Sequence, residues 1–335
     1  MSRARFQAAC NIVIVTFACT AAIACAAPIA AASGPASACF TTLGTNAGPI
    51  PITARAEPAN LLRAAGQNVL IDAGDGAAWQ LAKVGVAQGD VQTVLLSHLH
   101  FDHTGGLFAF LGQRYQAVNA GALTIYGPPG TKALVDGLIG AVAVSFPRPV
   151  NARQSMVAAP GSNVSVVEIG GGTHFTIGTI AVTTATNSHY SIAATRPEYG
   201  RIVSLSFRFD VPREKDRPAR AIVYTGDTGP SAAVEQLAKG ADLLVSEIMD
   251  PEAALAQLRH DRPDMPGPIL NYIGEHFRHE HMSPNEAGLL ASRAGVRSLV
   301  LTHIAVAPGA IPATRMAIKA TFKGPVRFAR DLDTF

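Results

Sequence analysis

Cysteine is scarce, and its placement says more than its number. All four cysteines (Cys10, Cys19, Cys25 and Cys39) precede residue 40 of a 335-residue chain. The remaining length therefore carries neither a disulfide framework nor a thiolate metal site. It needs neither, because a domain of roughly 300 residues buries a sufficient core by itself. Charge is thin as well: Asp, Glu, Lys and Arg make up 15% of the chain, with 27 basic and 24 acidic residues. Setting aside Arg3 and Arg5 leaves 25 basic residues against 24 acidic ones, close to neutral. Such a balance lacks the electrostatic footprint of a polynucleotide binder, so a small-molecule partner and no nucleic-acid polymer are expected. The one charge-rich stretch, Arg208 to Arg220, mixes Arg213, Lys215 and Arg217 with Asp210, Glu214 and Asp216, and Pro212 and Pro218 interrupt it. It reads as a solvated hairpin tip rather than a phosphate-gripping patch. Long linkers, composition breaks and internal repeats are absent too, which leaves one domain after the N-terminal segment.

That segment sets the expected compartment. Arg3 and Arg5 precede an apolar run from Ala8 to Ala24 and small residues through Ala32. A basic start, a short hydrophobic stretch and an Ala-x-Ala-type site form the layout of a secretory signal peptide. Residues 1–32 are assigned to it, with cleavage after Ala26 or Ala32, and residues 33–335 to the folded domain. Asn11, Thr16 and Thr20 interrupt the run, so no stable membrane span is expected. Cys25 follows Ala22-Ile23-Ala24, a poor match to a lipid-attachment site. The expectation is a periplasmic or secreted protein, with a homodimer as its default assembly.

Against this sparse background one segment is dense. Ser97-His98-Leu99-His100-Phe101-Asp102-His103 puts three imidazoles and a carboxylate into six positions, too closely for a single helical face. Val91 to Leu96 before it is a β-branched apolar run of the kind that makes a buried strand, and Gly105-Gly106 supplies a bend after it. A tight loop at a strand end lets all four side chains turn toward one point. Neutral imidazole nitrogen and carboxylate oxygen are the ligands of a catalytic zinc or similar divalent ion. Four residues make only part of a two-metal site. His189, Asp227 in Gly226-Asp227-Thr228, and His303 after Leu299 to Thr302 all lie where predicted strands end, and they are the candidates to complete it. Alone, each histidine reads as an ordinary hydrogen-bonded side chain, and Asp227 as a turn former. His174, inside the alternating Thr173 to Ile177, competes with His189 and reads as structural.

His98 to His103 resembles the signature of the metallo-β-lactamase fold hydrolases, and the resemblance runs through most of the chain after about residue 40. Leu43-Gly44-Thr45 and Leu70 to Gly76 are similar to the first strands and Asp-x-Gly turn of that fold. Tyr224 to Thr228 is similar to its Gly-Asp-Thr motif, and Leu299 to His303 to its last strand and histidine. With Ser246-Glu247 and His281-Met282-Ser283, the branch most resembled holds the tRNA 3′ endonucleases (RNase Z-like), phosphodiesterases and arylsulfatases. The resemblance implies an α/β fold, an αβ/βα four-layer sandwich of two mixed sheets with helices outside. It also implies two divalent metal ions, Zn2+ or else Mn2+ or Fe2+. His98, His100 and His189 are then the ligands of one ion and Asp102, His103 and His303 those of the other, with Asp227 bridging. Asp102, His281 and Glu247 are the implied catalytic groups, His281 giving a proton to the leaving group and Glu247 positioning it. His276 and His279 are neighbours easily mistaken for His281. Asp72 either orients the ligand loop from behind or caps a strand-to-helix turn.

A metal-dependent hydrolase of ester bonds follows, and the expected reaction is phosphodiester cleavage of a small exported substrate. Sulfate esters are an alternative, as are lactone or β-lactam carbonyls and a metal-binding protein without catalysis. Processing of tRNA is disfavoured, since the chain between His189 and Asp227 has room only for two strands and a tip. Tyr190, Arg196 and Tyr199 belong either to the pocket wall or to a solvated loop.

Periodicity predicts strands at 68–72, 93–97, 123–126, 164–168, 174–184, 201–209, 220–225, 242–246 and 298–302. Helices are predicted at 76–84, 104–112, 130–142, 231–239, 251–260 and 284–294, the last started by Ser283, Pro284 and Glu286.

Overall fold

Two β-sheets organise the chain. The computed structural model describes residues 38–335 apart from 49, 117–119, 147–157, 191, 193–194 and 215–217, so the assigned signal segment, residues 1–32, lies outside the described residues. The first sheet takes β1 (Cys39–Gly44), β2 (Ala59–Ala64), β3 (Gln67–Ala73), β4 (Thr93–Leu95), β5 (Leu123–Gly127) and β6 (Val164–Glu168) in sequence order. Its first three strands are antiparallel, and β3 to β6 run parallel. The second sheet runs through β7 (His174–Ile177), β8 (Ile180–Thr186), β9 (Leu205–Val211), β10 (Arg220–Tyr224), β11 (Leu243–Met249), β12 (Leu299–Ala305) and β13 (Val326–Phe328). It is antiparallel from β7 to β10 and parallel from β10 to β13.

Neighbouring residues on these strands point to opposite faces, and both faces are buried. Phe40, Leu62, Ile71 and Leu95 meet Phe207, Phe209, Ile222 and Tyr224 between the sheets. Their neighbours Leu61, Leu70 and Val94 face outward onto Leu81 of α1 (Ala77–Lys83), Phe110 of α3 (Leu107–Gln116) and Val135 of α4 (Thr131–Ser145). On the second sheet, Val223, Leu244 and Leu301 pack on Val234 of α5 (Ala232–Leu237), Leu290 of α8 (Pro284–Arg293) and Ile318 of α9 (Ile311–Thr321). Strands covered on both sides need continuous apolar runs, and all seven positions of β11 are buried. Each such Leu, Ile, Val or Phe contributes roughly 1.5–3 kcal/mol. The layers are helix, sheet, sheet, helix, the four-layer sandwich implied by the sequence. Between β11 and α8, α6 (Pro251–Asp261) and α7 (Gly267–His279) form a helical hairpin in which only Leu255 and Gly274 are buried.

Several boundaries differ from expectation for local reasons. The predicted strand 174–184 is a hairpin, turned at Gly178 with φ 57°. The predicted helix 104–112 is two pieces, α2 (Phe101–Thr104) and α3, because the chain bends at Gly105-Gly106. β2 lacks β-branched residues and β13 is three residues long, so neither gives a periodic signal. α7 starts in Pro266-Gly267-Pro268, which reads as a turn, and α9 starts Ile311-Pro312. The start of α8 is as read: Ser283 and Glu286 form a full capping box. β9 and β10 pair as a hairpin around the charged tip, with Val211 opposite Arg220.

Candidate metal centre

The ends of β3, β4, β8, β10, β11 and β12 meet at one point, and two of them are distorted there. In β3, Ala59 pairs with Ala73 and Asn60 with Ile71, which leaves Asp72 as the extra residue of a bulge at φ 57°. In β12, Glu247 opposes Thr302 and Ile248 opposes Ile304, so His303 is likewise extra, at φ 45°. Bulges re-aim side chains at strand ends. Asp72 is fully buried, and its Oδ1 accepts from Ser97 N at 2.7 Å. Its Oδ2 accepts from Ser97 Oγ at 2.8 Å, His103 Nδ1 at 2.9 Å and Tyr224 OH at 2.8 Å. It therefore fixes the histidine loop from behind. Asp227 follows β10 in a turn whose Gly226 has φ 59°, and a Cβ there would sit 2.9 Å from Ser97 Cβ. Only glycine satisfies both constraints. His189 follows β8, and its Nδ1 donates to the Glu280 carbonyl at 3.1 Å, which directs Nε2 inward.

The inward atoms lie too close together for a cluster that has only itself to bond. His98, His100 and His189 each offer a nitrogen to one group, and Asp102, His103, Asp227 and His303 offer atoms to a second, all within 4.8 Å in each group. His189 Nε2 is 3.1 Å from His100 Nδ1, and His103 Nε2 is 3.3 Å from Asp227 Oδ1. His303 Nε2 is 3.3 Å from Asp227 Oδ2 and 3.4 Å from Asp102 Oδ2, and His98 Nε2 is 3.9 Å from Asp227 Oδ2. Ligands bound at about 2.0–2.1 Å in a tetrahedron stand about 3.3 Å apart, which is the spacing seen. Moreover, His98 Nε2, His103 Nε2 and Asp227 Oδ1 are buried without a hydrogen-bond partner among the described residues. Buried polar atoms are rarely orphaned unless an ion or water completes them. The donor set fits a divalent metal.

Electrostatics agree. Burial pushes His98 well below its usual value and His189 down to about 3, so both rings are neutral and have a lone pair to offer. For His103 and His303 burial acts in the same direction, but Asp227 and Asp102 outweigh it, lifting His103 well above its usual range and His303 to about 9. Burial likewise opposes ionisation of Asp102 and Asp227, yet those imidazoles hold Asp102 at about 2 and Asp227 well below the carboxylate range. The buried carboxylates thus demand positive charge. A divalent ion held by these residues would supply it.

Beside this cluster stands a second pair. Glu247, 1% exposed on β11, accepts from Thr228 N at 2.6 Å and lies 2.8 Å from His281 Nδ1 through Oε2. Burial raises Glu247 and lowers His281 to about 3, so the pair is net neutral. A neutral pair has one proton between Oε2 and Nδ1 and one on Nε2, whichever partner is written as charged. His281 Nε2 faces His276 Nε2 at 3.3 Å, and His276 Nδ1 is held by Glu280 Oε2 at 2.6 Å.

His98, His100, Asp102, His103, His189, Asp227, His303, His281 and Glu247 are therefore all brought together. His174 is not: it is exposed on β7, bonded to Thr183 Oγ1 at 3.0 Å. His279 is exposed and pairs with Glu275. Arg196 and Tyr199 are exposed, whereas the Tyr190 ring lies 5.1 Å from His100 and 4.9 Å from His189 and walls the site. Two contributors carried no sequence signal: the Glu280 carbonyl, and buried Glu57, which accepts from Asn46 Nδ2 at 3.1 Å. Neither is part of a local pattern.

Comparison with known proteins sharpens the picture. Residues 67–304 match the family model described as the Beta-lactamase superfamily domain. Ribonuclease Z of Mycobacterium avium (strain 104) is 31% identical over 297 residues, 87% of this chain and 95% of the relative. The metallo-β-lactamase fold protein YhfI from Bacillus subtilis superposes with a TM-score of 0.62 at 19% identity, over 89% of this chain and 98% of its own. Human tRNase Z, short form, does so with a TM-score of 0.58 at 23% identity, over 89% and 98%. Both structures share the fold.

These findings correct three expectations. An exported hydrolase of a small ester, with a small-molecule partner and no nucleic acid, does not stand beside nearly full-length relatives named as ribonucleases. Near-neutral charge misled because it averages the whole surface, while binding depends on local potential. The periplasmic or secreted location is corrected by the same relatives, while the signal peptide assigned to residues 1–32 lies outside the described residues. By its match and its relatives, the chain belongs to the metallo-β-lactamase superfamily, in its Ribonuclease Z-like branch, and is a metal-dependent hydrolase of ester bonds.

Proposed function

We propose that this protein hydrolyses phosphodiester bonds of RNA. The carrying observation is the match to Ribonuclease Z over 87% of this chain and 95% of the relative. The Glu247–His281 pair, seated against the donor cluster, supports it, because an RNA alkoxide is a poor leaving group and needs a proton. His98, His100 and His189 would hold one divalent ion, and Asp102, His103 and His303 a second, with Asp227 shared. Imidazole and carboxylate donors suit zinc best. When bound, such a pair supplies Lewis acidity and hydroxide near neutral pH.

The chain's own groups do the rest. Asp72 and the Glu280 carbonyl hold His103 and His189 through Nδ1, so that Nε2 of each points inward, where it would be the atom offered to a metal. Tyr190 closes one wall against water. His281 hands its Nε2 proton to the departing oxygen, and the proton shared with Glu247 then settles on Nδ1, leaving a neutral imidazole beside a carboxylate.

The test uses zinc-replete protein and an end-labelled transfer-RNA precursor with a 3′ extension, beside a chromogenic aryl phosphodiester. Expected are site-specific RNA cleavage, loss with chelator and recovery with zinc. Turnover of the chromogen with no cleavage of any RNA offered would remove RNA as the substrate.

A further inference from the structure

The described C-terminal segment departs from the near-neutral average. From Ala305 to Phe335 it carries Arg315, Lys319, Lys323, Arg327 and Arg330 against Asp331 and Asp333. Asp331 is turned inward, its Oδ1 accepting from Thr45 N at 3.0 Å and its Oδ2 from Ala56 N at 2.7 Å and Gln80 Nε2 at 2.9 Å. Asp333 Oδ2 is taken by the backbone N of Arg330 at 2.9 Å. Arg315, Arg327 and Arg330 line one open cavity of about 310 Å³ with Phe328, Asp333 and Phe335. The Arg315 guanidinium lies 5.0 Å over the Phe328 ring, and that of Arg327 lies 5.9 Å over Phe335. None of the three arginines makes an ion pair among the described residues.

We propose that this cavity docks the phosphate backbone of RNA outside the metal centre. The inference rests on the RNA reading above. Three guanidinium groups line this one cavity, Arg315 bonding a strand carbonyl and none of them ion-paired, and their planar forks match phosphate oxygens. Protecting the edge strand β13 needs one charge and leaves the other two without a role. Position favours a polymer that also reaches the catalytic end of the sheet. β13 runs parallel to β12 with Phe328 opposite Leu301, and Ala329 N donates to Leu301 O at 2.8 Å. Arg330 follows directly, on the side of that pairing toward Thr302 and His303. Asp331 beside it pins Thr45, whose carbonyl accepts from Ile304 N at 3.0 Å.

The test compares wild type with the doubles R327A/R330A and R327K/R330K in the full chain, since both side chains are exposed and Arg315 alone bonds a strand carbonyl. Binding of a labelled single-stranded RNA is read by anisotropy across salt in metal-free protein. RNA cleavage and aryl phosphodiester turnover are read in zinc-replete protein. Expected for the alanine double are about tenfold weaker RNA binding and a salt slope smaller by about 1.4, two contacts at about 0.7 each. The lysine double keeps the slope, and chromogen turnover is the same in all three. An alanine double that binds RNA as wild type does, with the same slope, overturns the docking site even where wild type cleaves RNA. Arginine-dependent binding without cleavage supports the docking site while removing RNA as the substrate. Wild type that fails to bind RNA overturns the docking site.

Discussion

Replacing Asp72 with asparagine separates the scaffold from the chemistry it serves. The carboxylate is fully buried and accepts from Ser97 N, Ser97 Oγ, His103 Nδ1 and Tyr224 OH. Asparagine keeps the shape and tolerates φ 57°, but it exchanges an acceptor oxygen for a two-proton donor. With its amide toward Ser97 N, donor faces donor and nothing can rotate to relieve it. Turned the other way, the amide faces two hydroxyls, which can rotate to accept, and an imidazole. That imidazole accepts only by moving its proton to Nε2, the atom proposed to bind metal. A hydrogen bond to a charged group contributes about 1.5–3 kcal/mol, and at least one of the four is lost while the others weaken. The metal-free variant should lose about 2–4 kcal/mol of unfolding free energy, measured by urea denaturation in chelator. Zinc affinity, measured by competition with a chelating indicator, should fall about 10–100-fold. A variant within ~0.5 kcal/mol of wild type that binds zinc equally well refutes the role given to Asp72.

His281→Ala should lower kcat on RNA by about 10²–10⁴-fold while leaving bound metal unchanged, and should cost far less on an aryl ester whose phenolate leaves unaided. Equal losses on both substrates would count against proton donation. His189→Ala should remove about one metal equivalent in elemental analysis, whereas His174→Ala should remove none; a matching loss in both would reverse the choice between them. Ser283→Ala should cost about 1 kcal/mol in thermal unfolding without touching activity, because it removes one side of the capping box on α8.

What the sequence revealed tracks how local each cause is. His98 to His103 is legible because four donors lie within six positions. Asp227 and His303 are legible because strand ends on a sheet converge. Asp72 left two readings open, and the choice between them depends on Ser97, His103 and Tyr224, the last of which lies 152 positions away. The Glu280 carbonyl gives no signal at all, since any residue has one. β2 was missed because it has no β-branched residue, and α7 because it opens in Pro266-Gly267-Pro268, which reads as a turn. The largest error came from treating net charge as a surface property: the basic C-terminal segment is offset elsewhere in the chain and vanishes from the sum.

The backbone outliers join these threads. Among the described residues, Ala65, Asp72, His303 and Leu332 are the non-glycine positions with positive φ. Two of the four are Asp72 and His303, each the extra residue of a bulge, one in each sheet. Such conformations cost about 1–3 kcal/mol apiece and survive only where their surroundings over-determine them. Asp72 is held by its four donors, and His303 by its place between Asp102 and Asp227. An unbulged strand would keep the alternation of side chains and turn neither residue toward the shared point. Strain and donor convergence are thus one feature: in each sheet a bulged residue at positive φ is the one aimed at the centre.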